Sequence, residues 1–160
     1  MQVIAESKVE QHLLDQFTAV ANDGLQLLKS DAGKSPKDLI ASINEYLSKP
    51  AKKKWFKKVD NWTDKALPLG TLWGEIFVKE FDWEWVKLTF EDQSQAIGVF
   101  TKDRSLGFYP WYFVLGCVEN EAPVTILLAW NMLQEGAVPD MEPKTYENLM
   151  EGVHHIIPTT

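Results

Sequence analysis

The chain has 160 residues, 45% of them hydrophobic and 24% charged, with a net charge of −7 and an isoelectric point near 5.0. This length suits a single domain, 1–160, that buries roughly 70% of its unfolded surface and needs neither a disulfide nor a metal for stability. The acidity argues against general nucleic-acid binding, which rests on a cationic surface; no run of 18 apolar residues offers a membrane span, and the lone Cys117 precludes an internal disulfide.

In chain order, Val9, Leu13, Phe17 and Val20 recur at helical spacing and predict a helix over 6–28. Ser35-Pro36-Lys37-Asp38 reads as an N-cap, a proline at the first helical position and an acid in the first turn, opening a helix over 36–48. Trp55, Val59 and Trp62 share one face of a helix expected over 52–62, with Lys52, Lys53, Lys54, Lys57 and Lys58 directed to water, although such interleaved charge and aromatics can also serve single-stranded nucleic acid or an anionic membrane surface. Pro68 opens a further helix over 68–81. Gly70 and Gly74 lie four apart on it, and each costs helix stability, so another element is expected to approach closely there.

The period then changes. Residues 83–90, rich in Trp, Val and Phe, predict a strand; 95–101 predict a second, and 108–118 a third. Short connections make a three-stranded antiparallel meander the simplest pairing. Pro123 and Pro143 are read as openers of helices over 123–135 and 143–152. The expected class is α+β: a small antiparallel meander packed against N-terminal and C-terminal helices.

The block Leu69-Gly70-Thr71-Leu72-Trp73-Gly74-Glu75, followed by Trp83-Glu84-Trp85-Val86, resembles a family of small, uncharacterised bacterial proteins that pair such a helix with a Trp-bearing strand. The resemblance continues through Pro110-Trp111-Tyr112-Phe113-Val114 and into Leu127 to Pro139, covering about residues 67–139. It implies an α+β bacterial module and carries no mechanism.

Few residues offer chemistry. The three histidines, His12, His154 and His155, lack metal-ligand spacing, and no phosphate loop, dinucleotide fingerprint or nucleophile elbow is present, so no cofactor or metal is expected. Cys117 sits in an apolar run and reads as an inert buried thiol. Glu80, Asp82 and Glu84 accompany Trp83 and Trp85, which permits a carboxylate pair in a Trp-lined cleft, as a small hydrolase would use. Glu75 falls off the apolar stripe of its helix. The stretch 108–118 is apolar on both alternating sets, so either helices cover both faces of the sheet or a partner covers part of one.

Function is therefore expected in binding. The candidate binding residues are Trp83, Trp85, Tyr109, Trp111, Glu75 and Glu84, with no catalytic and no metal-ligating set. A protein partner, or self-association through an aromatic sheet face, is expected. Acidic charge in a small domain without catalytic residues suits an immunity-type inhibitor of a basic toxin. The N-terminus, Met1-Gln2-Val3-Ile4, carries no basic region and no long apolar run, so a cytoplasmic location is expected.

Overall fold

A computed structural model describes residues 2–31, 33–49 and 60–156. In order, these form β1 (Val3–Lys8), α1 (Gln11–Leu27), α2 (Pro36–Ser48), a π-helical turn (Trp62–Ala66), α3 (Leu67–Phe81), β2 (Glu84–Phe90), β3 (Gln95–Phe100), β4 (Leu106–Phe108), α4 (Pro110–Val118), α5 (Ile126–Gln134), β5 (Glu147–Asn148) and α6 (Leu149–Ile156). The sheet order is β1-β2-β3-β4-β5, antiparallel throughout except for the parallel pair β4–β5. The α+β class is as expected, but the sheet is five-stranded and mixed, and the meander is its centre.

α2 forms where its start signals put it, with the Ser35 hydroxyl accepting from the Asp38 N–H at 3.2 Å. The lysine-rich helix expected over 52–62 lies outside the described residues apart from its last three. At the other end of that segment, Pro68 has no N–H to give the preceding turn, and the chain widens there into the π-helical turn.

Four expectations are corrected. Pro123 opens no helix, since α5 begins three residues later, at Ile126, with Thr125 as its N-cap. The first helix begins at Gln11, and Val3–Lys8 is an edge strand on β2, with a bulge between Val3 and Ala5. Its β-branched start suits a strand, yet its partners, Phe90 to Val86, lie some eighty positions away in the sequence. The third strand is only Leu106–Phe108, and the apolar stretch behind it is the helix α4. A short run that is apolar all round serves a buried helix as well as a buried strand, and Pro110 at the first helical position decides the matter. Finally, residues 143–148 are not helical. Lys144, Tyr146 and Glu147 donate backbone N–H bonds to the carbonyls of Asp103, Arg104 and Ser105 at 2.9, 2.8 and 3.1 Å. This pulls the segment onto the β3–β4 turn as β5, and α6 starts only after it.

The core follows from the pleat. Trp85, Val99 and Phe108 point to the side on which α3 lies, while Val86, Leu88 and Phe100 point to the other. The expected close approach on α3 is present. A Cβ on Gly70 would lie 2.8 Å from the Trp111 ring, and one on Gly74 would overlap the indole of Trp85. Trp73 stacks on Phe108 with centroids 4.2 Å apart, and Phe77 packs edge-on against Trp73, Trp83, Phe108 and Trp130. α5 is held at its start by α2, because the Leu127 N–H donates to the side-chain carbonyl of Asn44 at 3.0 Å.

Candidate functional site

The six predicted binding residues divide between the two faces of the sheet. Trp83 and Trp85 are 8% and 7% exposed and belong to the helix-side core. The Trp85 indole stacks on Trp111 at 5.8 Å and packs at a tilt of 52° against Phe17 at 4.7 Å. Its N–H donates to Glu75 Oε1 at 3.0 Å, and the Trp111 N–H donates to Thr71 Oγ1 at 2.8 Å. Glu75 does fall off the apolar stripe of α3, but an indole occupies one of its oxygens. These bonds pair the indole N–H groups of Trp85 and Trp111 where they enter the apolar seam, whereas the buried Trp73 Nε1 has no partner among the described residues. Four of the six residues thus form one packed unit whose rings face inward.

Glu84 and Tyr109 lie on the opposite face. There Val86, Leu88 and Phe100 form a small second cluster, covered in part by Val3, Phe90, Tyr109 and Tyr146. Tyr109 is edge-on to Phe100 at 5.7 Å, and burial, with Glu151 and Tyr146 nearby, pushes its hydroxyl up to about 12. Beside this cluster stands a charged clasp. Arg104 Nε donates to Glu6 Oε2 at 2.9 Å, and Nη1 donates to Glu84 Oε1 and to the Thr101 carbonyl, both at 2.9 Å. The Tyr146 hydroxyl donates to the same Glu6 oxygen at 2.9 Å. Only 13% of the Arg104 side chain is exposed, and its backbone is left-handed, with φ of 61°.

The electrostatics of the clasp follow from these bonds. Partial burial pushes Glu6 upward, but the hydrogen bonds from Arg104 and Tyr146 outweigh it and hold the carboxyl below its ordinary range. Burial and the bond to Glu6 together raise Tyr146. Desolvation works against the Arg104 charge and is outweighed by the two carboxylates. Two carboxylates therefore converge, as a hydrolytic pair would, but on a guanidinium that uses their charge.

Sequence reasoning missed Glu6, Arg104 and Tyr146. Arg104 and Tyr146 lie 98 and 140 positions from Glu6, which falls in the helix expected over 6–28, and Arg104 lies between two expected strands. No local pattern signals such a contact. The other acids of the predicted cluster are surface groups: Glu80 is exposed, and Asp82 pairs with Lys102 at 2.7 Å.

Cys117 is buried, donates weakly to the Pro123 carbonyl at 3.7 Å, and has its thiol pushed by burial up to about 11. Little thiolate forms at neutral pH. Among the described residues, no three His, Cys, Asp or Glu side chains are grouped to hold a metal ion, and no helix is long and apolar enough to cross a membrane. Among the described residues, open grooves mark the surface at two places of note. One, of about 450 Å³, lies between α1 and the π-helical turn; the other, of about 410 Å³, lies where Leu47 meets the Cys117–Val124 region.

Charge is segregated along the chain. Glu119, Glu121, Glu135, Asp140, Glu142, Glu147 and Glu151 are all exposed and are set against one base, Lys144, so residues 119–151 carry −6 of the net −7. The chain matches no family model, no curated protein and no solved structure.

Proposed function

We propose that this protein is a non-enzymatic binding module of a bacterial cytosol that captures a basic protein, as an immunity-type inhibitor captures a basic toxin. The observation that carries the reading is the segregated charge: six of the seven net negative charges fall on residues 119–151, whose acidic side chains are all exposed. An excess of exposed negative charge raises encounter rates with a cationic partner and repels anionic ones.

The alternative, a small hydrolase using a carboxylate pair in a Trp-lined cleft, draws less from the geometry. Glu84 is paired with Arg104, Glu75 accepts from an indole, and the indoles of Trp83 and Trp85 are buried. Affinity capture with the full chain from the source cytosol at about 150 mM salt tests the binding reading. The expected result is a retained basic protein whose association rate falls steeply as salt rises. Retention of no protein, or a rate indifferent to salt, would overturn it.

A further inference from the structure

The groove between α1 and the π-helical turn has a composition that selects an occupant. Its walls are apolar, supplied by Val20 and Leu27 of α1 and by Leu67 and Pro68 at the start of α3. Its polar lining includes two carboxylates, Asp23 and Asp64. Both are exposed, and among the described residues no Lys, Arg or His nitrogen lies within 4 Å of either. Asp64 accepts from the Asp60 N–H through Oδ2 at 3.2 Å, which leaves its other oxygen free of any bond to a described residue.

The shape is held by packing on both sides. A Cβ on Gly24 would meet the Pro68 carbonyl and the Leu72 side chain, so α1 and α3 are in close contact next to the groove. The π-helical turn that precedes Pro68 forms the opposite wall. A long cationic side chain has matching chemistry: an aliphatic stem that gains by lying on apolar walls, and a charged head that gains by reaching carboxylates.

We propose that this groove receives an arginine side chain of the basic protein partner, with its stem along Val20, Leu27, Leu67 and Pro68 and its guanidinium between Asp23 and Asp64. The inference rests on the binding reading above and gives it a contact point, since exposed acids of residues 119–151 steer a partner from a distance whereas the groove would fix its register.

The test is an amide-shift titration of the full chain with a capped hexa-arginine peptide, repeated on a D23N/D64N variant and on an E135Q/E142Q variant that loses the same charge elsewhere. Asn at 64 keeps an acceptor for the Asp60 N–H, and an unchanged thermal midpoint checks that the variant is folded. The expected result is the largest shifts in residues 20–27 and 63–68, binding there weakened about tenfold in D23N/D64N, and a change under about twofold in E135Q/E142Q. Equal weakening in both variants, or the largest shifts over 119–151, would overturn the groove while leaving the acidic-surface reading intact. Shifts that appear only after Lys52, Lys53, Lys54, Lys57 and Lys58 are changed to Gln would assign the groove to the chain's own lysines and overturn the proposal. If the captured partner binds D23N/D64N as tightly as wild type, the groove fails and the proposed function stands.

Discussion

The two faces of the sheet solve different problems with the same kinds of residue. On the helix side, Trp73, Trp83 and Trp85 pack with Phe77 and Phe108 into a continuous aromatic interior, and two glycines on α3 let the helix approach the rings. On the other side, Val86, Leu88 and Phe100 form only a small cluster, and order there depends on Arg104 joining Glu6 of β1, Glu84 of β2 and, through Glu6, Tyr146 beside β5. Hydrophobic burial is non-directional and tolerates imprecision, whereas a guanidinium clasp requires three distant segments to arrive together. The tryptophans of this seam thus have a structural use, and the proposed recognition falls to surface charges.

The contrast can be broken at its strongest point. Trp73→Ala removes a fully buried ring stacked on Phe108 and is expected to cost about 3–5 kcal/mol in urea unfolding. A cost below about 1 kcal/mol would mean that the seam is loosely packed. On the opposite face, Arg104→Asn keeps a residue tolerant of the left-handed backbone but removes the clasp. The expected loss is about 1–2 kcal/mol, concentrated as faster amide exchange in β1, with α3 unaffected. Uniform loss of protection across both faces would show that they are not separable.

Smaller still, Tyr146→Phe deletes one hydrogen bond to Glu6 and is expected to cost about 0.5–1.5 kcal/mol. The same contact sets a pH dependence. The folded Glu6 carboxyl lies below its unfolded value near 4.5, so its stabilising contribution is complete above that value and is lost as pH falls through the lower, folded one. Wild-type β1 should therefore lose amide protection in that acid window faster than Glu6→Gln does. Parallel profiles in the two proteins would place the acid sensitivity elsewhere.

How much of this was legible in the sequence depended on the range of the interaction responsible. α2 was legible because Ser35, Pro36 and Asp38 specify a helix start within four residues, and α3 because its stripe and glycines are local. The run 108–118 misled because apolar residues all round suit either period, and only Pro110 discriminated. β1 and β5 were illegible, since their pairing with β2 and β4 is long-range. The candidate site fared likewise. Trp83 and Trp85, read as binding residues, are buried, because alternating Trp on a strand suits a covered face as well as an exposed one, while the Arg104 clasp joins segments about a hundred residues apart, and no periodicity records that.

The central claim is that exposed carboxylates of residues 119–151, and not the indoles, carry recognition of a basic protein. The direct measurement is the affinity of the captured partner for a variant with Glu119, Glu121, Glu135 and Glu142 changed to Gln, beside Trp85→Phe as the control that alters the seam. The expected result is binding weakened at least about tenfold in the acid variant and little changed in the control, both proteins remaining folded. Undiminished binding by the acid variant, with loss in Trp85→Phe, would contradict it.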